Sequence, residues 1–151
     1  MTSPVPDLDI GPLRAADRAG WEPLARGYKA FYRTPQTDAD YERTWQRLLE
    51  GRVVQGLAAR EHSGRVLGIA HHYFHPTIWA GDALYLQDLF VDEAVRGRGV
   101  AAALIAHLAT LARERGASRF YWTTHQDNAR ARALYDRVAR WHGFLRYDVA
   151  L

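Results

Sequence analysis

No cysteine occurs anywhere in the chain. That excludes disulfides, thiolate nucleophiles and thiolate metal ligands. Long apolar runs are missing too. No stretch approaches the roughly 18 consecutive apolar residues a membrane-spanning helix needs, so no membrane association is expected. The first seven residues, MTSPVPD, lack the basic and then apolar pattern of a secretory signal, and the expected location is the cytoplasm. Lysine is scarce: Lys29 is the sole example among 20 basic residues. The arginines are interleaved with acids and the net charge is only +3. A nucleic-acid footprint would be a basic block or stripe, so no nucleic-acid partner is expected.

What remains has the composition of an ordinary globular domain, with 151 residues, 48% hydrophobic and 25% charged. Residues 1–6 read as a loose proline-bearing tail and 7–151 as a single domain. Apolar periodicity predicts a strand at 7–13 and helices at 15–31 and about 37–50. It then predicts strands at 53–61, 66–74 and 83–91, a helix from the glycine-rich turn to about 116, a strand at 118–124, a helix at 128–141 and a last strand at 144–151. The order β-α-α-β-β-β-α-β-α-β, with a central meander, predicts an α+β fold. Its sheet should be mixed, mostly antiparallel, and flanked by about four helices. The strand–helix–strand unit from 83 to 124 should be parallel with a right-handed crossover.

The most informative stretch is 84–105, a strand followed by Arg96-Gly97-Arg98-Gly99-Val100-Ala101-Ala102 at a helix start. Unpaired N–H groups, the helix dipole and two cations make this a seat for a phosphate. Gly97, Gly99 and Ala102 fit a dinucleotide fingerprint. However, no acid closes the next strand at Trp122-Thr123-Thr124-His125, as that reading requires. A Walker-type loop fails because no Gly-Lys-Ser/Thr follows.

Arg96, Gly99 and Ala101 also spell R-x-x-G-x-A. With Tyr85-Leu86-Gln87-Asp88-Leu89-Phe90-Val91 before them, Asn128, Ala131, Leu134 and Tyr135 after them, and then Gly143-Phe144, the chain resembles the GNAT superfamily of acetyl-CoA-dependent N-acetyltransferases. The likeness leans toward the branch of spermidine/spermine and histone-tail enzymes. It implies acetyl-CoA as cosubstrate and no metal. By the resemblance, Leu89, Phe90 and Val91 offer backbone to pantetheine, and the Val91 N–H polarises the thioester carbonyl. Residues Arg96, Gly97, Arg98, Gly99, Val100, Ala101 and Ala102 would hold the pyrophosphate. Asn128 and Ala131 would contact the cofactor, with Asn128 also a candidate helix cap.

Tyr135 matches the family's general acid, which protonates the leaving thiolate; a packed core tyrosine is the alternative. The related glutamate base is replaced by Gln87, which cannot take a proton. Asp88 is the candidate base, provided a bulge turns it to the same side; a water chain to His125 or to another acid, or an amine that arrives deprotonated, are the alternatives. Gln87, Tyr32, Tyr41 and Trp79 are the candidate acceptor-binding residues, in an aromatic and acidic wall suited to a cationic amine. Tyr41 and Trp45 also read as the apolar stripe of a helix. His71, His72 and His75 read as strand or loop surface rather than a metal site. The expected acceptor is an amine-bearing small molecule of polyamine type. A protein lysine or N-terminal amine, or a non-catalytic acyl-CoA sensor, are the alternatives. Because the family often dimerises, a homodimer is kept open.

Overall fold

The structure is a computed structural model that describes residues 3–151. Five strands form one sheet in the order β1-β2-β3-β4-β5, comprising β1 (Asp9–Pro12), β2 (Gln55–Arg60), β3 (Val66–His75), β4 (Ala83–Val91) and β5 (Arg119–Tyr121). The first four are antiparallel neighbours, and β5 joins β4 in parallel. Helices α1 (Arg18–Phe31) and α2 (Asp38–Glu50) connect β1 to β2. Helix α3 (Val100–Glu114) crosses from β4 to β5, and α4 (Ala129–Val138) follows β5.

Helix α2 is bounded by local chemistry at both ends. Thr37 Oγ1 accepts from the Asp40 N–H at 3.1 Å while the Asp40 carboxylate accepts from the Thr37 N–H at 2.9 Å, a reciprocal cap that starts α2. Gly51, left-handed at φ 64°, ends it. The tail, expected to be loose, is tied to the glycine turn: the Val5 N–H donates to the Arg98 carbonyl at 3.3 Å.

The sheet is sandwiched between two apolar layers. Trp21, Leu24, Tyr41, Trp45 and Leu48 of α1 and α2 pack on Ala58, Val66 and Ile69. On the opposite face Val100, Leu104, Ile105 and Leu108 of α3 cover Leu57, Leu67, Leu84 and Leu86. Buried Arg60 grips Asp17 with two hydrogen bonds of 2.8 and 2.5 Å and donates to the Pro12 carbonyl at 2.8 Å. That joins β1, β2 and the entry to α1. Burial pushes the Asp17 carboxyl up, but bonds from Arg60 and the Arg14 N–H, with the charge of Arg60, bring it below its usual 3.8.

Three sequence expectations are corrected. The strand expected at 118–124 shortens to Arg119–Tyr121, because β4 and β5 pair only through Ala83↔Arg119, Leu84↔Phe120 and Tyr85↔Tyr121 before diverging. Helix α4 ends at Val138 rather than near 141, where Ala139 becomes extended. Residues 144–151 are not a strand; their alternation is strand-like, but no neighbouring strand pairs with them.

Candidate active site

The splay of β4 from β5 creates the main cleft. From Leu86 to Val91 one edge of β4 has no strand partner among the described residues. The Asp92 N–H donates to the Leu67 carbonyl on β3 at 2.8 Å. Strand N–H groups alternate between edges, so those of Val91 and Leu89 face the open side. The cleft, about 370 Å³, is lined by Leu89, Phe90, Val91, Arg96, Gly97, Gly99, Val100, Ala101, Ala102, Asn128, Ala131 and Tyr135, among others. One expected cofactor residue is absent from that wall: Arg98 turns away and donates from Nε to the Ser3 carbonyl at 2.9 Å.

The floor of the cleft is the start of α3. Gly99 is left-handed at φ 82°, and a Cβ there would meet no protein atom within 4 Å. The first N–H groups of the helix thus open onto space kept clear by a glycine. Arg96 spans the rim, donating from Nε to the Val91 carbonyl at 3.3 Å, with its guanidinium 5.1 Å from the Phe90 ring centroid. Phe90 is itself backed by Gly27 of α1, where a Cβ would come within 2.9 Å of the ring. Asn128 Oδ1 accepts from the Ala131 N–H at 3.3 Å, so Asn128 caps α4 while lining the cleft. Tyr135 packs edge-on against Trp122 at 5.3 Å between ring centroids. Burial, with nearby Tyr32, pushes its phenol up to about 12.

A second cavity, about 190 Å³, lies between α1, α2 and the middle of β3 and β4. Its wall includes Tyr28, Lys29, Tyr41, Arg47, His71, Gln87 and Asp88. A bulge explains how Asp88 reaches it. His71 pairs with Asp88 but His72 with Leu86, leaving Gln87 as the extra residue. Without that insertion Asp88 would share the face of Leu84 and Leu86, toward α3. With it, Asp88 joins Trp21 and Tyr28 on the α1 side. Tyr28 borders both cavities, and β4 passes from one to the other between Asp88 and Leu89.

Asp88 is held by a chain of two hydrogen bonds. Trp21 Nε1–H donates to His71 Nε2 at 2.9 Å, and His71 Nδ1 lies 2.8 Å from Asp88 Oδ2. An indole N–H can only donate, so His71 Nε2 must accept and its proton sits on Nδ1, facing the carboxylate. Burial pushes the Asp88 carboxyl up, and the His71 and Tyr28 contacts and the charge of Lys29 bring it below its ordinary value. Asp88 is therefore ionised at neutral pH. His72 points oppositely, buried against α3, where desolvation lowers it to about 4.

The profile of the acetyltransferase (GNAT) family matches residues 21–140. The chain belongs to that family. This N-acetyltransferase is 32% identical over 130 residues to the D-amino-acid N-acetyltransferase HPA3 of Saccharomyces cerevisiae, covering 84% of this chain and 81% of that protein. It is 31% identical over 146 residues to the L-2,4-diaminobutyric acid acetyltransferase of Streptomyces coelicolor, 95% of this chain and 80% of that one. The crystal structure of a ribosomal-protein-alanine N-acetyltransferase from Brucella melitensis biovar Abortus 2308 superposes with a TM-score of 0.81 at 27% identity, covering 95% of this chain and 99% of that chain.

The expected acceptor residues separate. Gln87 and Tyr41 line the smaller cavity, and Tyr41 is at the same time 94% buried in the stripe it was also read as, being only 6% exposed. Tyr32 lines the larger cleft instead, stacked 6.0 Å from His125. Trp79 lines neither: it is 96% exposed on the β3–β4 connection, which Ser118 Oγ–H binds through the Gly81 carbonyl beside β5. Sequence reasoning missed Trp21, Tyr28, Lys29, Arg47 and His71 as site residues. For His71 a signal existed, since a hairpin counted back from the 76–82 connection brings residues near 71 opposite 87–88.

Proposed function

We propose that this enzyme transfers acetyl from acetyl-CoA directly to the amine of a small molecule, the cleft holding the cofactor and the 190 Å³ cavity the acceptor. The observation that carries the reading is that the two cavities adjoin at Asp88 and Leu89, with Tyr28 common to both. The cleft fits the cofactor on chemical grounds, with N–H groups at a helix start, a left-handed glycine that opens that start to the cleft, and a cation at Arg96. Residues 96–97 and 99–102 would hold the pyrophosphate, and the open edge of Leu89 and Val91 the pantetheine. When bound there, acetyl-CoA supplies an activated acetyl thioester.

The chain's residues then divide the proton work. Ionised Asp88 takes a proton from the acceptor ammonium, while His71, locked by Trp21, keeps the carboxylate oriented. The Val91 N–H is placed to polarise a carbonyl on the open edge. Tyr135, still protonated with its phenol near 12, gives its Oη proton to the departing sulfur and regains one from the acceptor nitrogen, which sheds its second proton as the amide forms; the proton taken up by Asp88 passes to solvent. No covalent acetyl-enzyme is needed.

The cavity's charge refines the acceptor from the polyamine expected. Lys29 and Arg47 share its wall with Asp88 and Asp40. Asp88 suits an ammonium; the two cations suit a carboxylate and disfavour a bare polycation. An amino acid or diamino acid matches both, which accords with the relatives' named substrates. Its small volume also lies below the usual range for drug-sized ligands. The test compares kcat/KM for 2,4-diaminobutyrate, D-amino acids and spermidine, with and without Arg47→Gln. We expect amino acids to lead and the substitution to raise their KM selectively. A preference for spermidine unaffected by Arg47→Gln would refute the zwitterion assignment.

A further inference from the structure

The smaller cavity contains a primary amine belonging to the chain itself. Lys29 is the sole lysine among 20 basic residues, the rest being arginine. It shares one face of α1 with Trp21, Ala25 and Tyr28, at i, i+4, i+7 and i+8, and all four line the cavity that holds Asp88. Nearby arginines of the same helix are tied to carboxylates: Arg26 to Asp38 at 2.7 Å, and Arg18 to Glu42 at 2.7 Å and to Glu22 at 2.9 Å. Lys29 is half-buried and forms no ion pair among the described residues. Its Nζ lies over the neighbouring Tyr28 ring, 5.8 Å from the centroid, and its charge is felt at Asp88. Tyr28 also borders the larger cleft, so this ammonium stands beside the passage between the two cavities.

That placement meets the demands made of an acceptor: a primary amine, on a flexible four-carbon stem, in the wall that carries the base. Lysine is also the basic side chain that takes an acetyl group, whereas an arginine here would stay charged. We propose that, when no acceptor is bound, the enzyme acetylates its own Lys29 within one molecule, and that a bound acceptor prevents it. The inference rests on the function proposed above. Asp88 takes one proton from the Lys29 ammonium, and Nζ attacks the thioester carbonyl of acetyl-CoA. The C–N bond of the amide forms and the C–S bond breaks. Tyr135 protonates the departing sulfur and is reprotonated by the second proton shed from Nζ, so coenzyme A leaves as the free thiol. The product is a neutral amide where one of the two cations facing the acceptor carboxylate had been. Self-acetylation should therefore weaken the binding of amino acids and leave the larger cleft unaltered.

Intact-protein mass spectrometry with peptide mapping tests the step. Native enzyme given acetyl-CoA alone at neutral pH is expected to gain one acetyl group at Lys29, with a first-order rate that does not change with enzyme concentration. Asp88→Asn is expected to slow the gain about 10²-fold or more, and saturating 2,4-diaminobutyrate to suppress it. The modified enzyme, freed of coenzyme A, should show a raised KM for 2,4-diaminobutyrate and an unchanged acetyl-CoA binding isotherm. An unmodified Lys29 in a preparation that acetylates 2,4-diaminobutyrate overturns the proposal and leaves the acceptor assignment standing. Loss of both reactions overturns the two together. A rate constant that rises with enzyme concentration also overturns it, because transfer is then between molecules. So does a native rate no faster than that of the urea-unfolded chain, which marks uncatalysed acylation.

Discussion

Asp88→Asn isolates the proposed base. The substitution keeps the side chain's size, and its amide oxygen can still accept from His71 Nδ1–H, now 2.8 Å from Oδ2. Fold and cofactor cleft should therefore persist, with acetyl-CoA affinity unchanged. What is lost is the oxygen that accepts a proton. A positioned base contributes about 10²–10⁴-fold, or about 3–5 kcal/mol of barrier. Because Asp88 is held below its ordinary value, the native enzyme does not lose this base on going from neutral to mildly acid pH. The variant's deficit should depend on the acceptor instead. It is expected to be greatest near neutrality and to shrink toward about pH 10, where a substantial fraction of an alkyl amine of lysine type arrives already deprotonated. The assay is thiol release with 2,4-diaminobutyrate across that range, beside an acetyl-CoA binding isotherm. A variant within about threefold of the native rate at neutrality, where base catalysis should be worth at least 10²-fold, would refute the assignment. So would a deficit that is constant with pH, since that indicates positioning alone.

Tyr135→Phe should lower kcat by about 10²-fold or more while acetyl-CoA binding changes little; near-native turnover across the pH range removes Tyr135 as the acid. Gly27→Ala places a Cβ 2.9 Å from the Phe90 ring. Overpacking of about 1–3 kcal/mol should outweigh a helix-propensity gain of about 1 kcal/mol, lowering the melting temperature and raising the KM for acetyl-CoA as the ring is pushed into the cleft. Arg60→Met leaves the buried Asp17 carboxylate without its partner and should cost about 3–5 kcal/mol in denaturant unfolding at neutral pH. Since folding depresses the Asp17 pKa, the native pair's stabilisation is present above the unfolded value of 3.8 and is lost as pH falls through the folded value. The difference between native and variant should accordingly narrow in acid.

The parts of the fold legible in the sequence are those set by local pattern. The 83–91 strand, the glycine turn and the capped α2 helix all appear where periodicity and capping chemistry put them. Much of the larger cleft was legible because residues 89–102 follow one another along the chain, a strand and then a helix start, while its other wall, 128–137, is remote in sequence. The acceptor cavity was less legible. Asp88 enters it only through the Gln87 bulge, and a bulge is a property of two paired strands. His71 was read as surface because its partners, Trp21 and Asp88, lie 50 and 17 residues away. Trp79 illustrates the converse: its composition suits an amine site, but the β3–β4 connection carries it to the far end of β4 near β5. The strand pattern of 144–151 was legible, and its missing ladder was not, because pairing depends on what lies beside it.

In the proposed function, the two adjoining cavities bring an acetyl thioester and a small zwitterionic amine together over Asp88 and Tyr135. Mass spectrometry of the purified enzyme with acetyl-CoA and 2,4-diaminobutyrate at neutral pH tests it directly. Mono-acetylated diamino acid is expected in equal amount to free coenzyme A, with the rate of both lowered about 10²-fold or more in Asp88→Asn. Saturable acetyl-CoA binding without acetylation of this or any other small amine would contradict it.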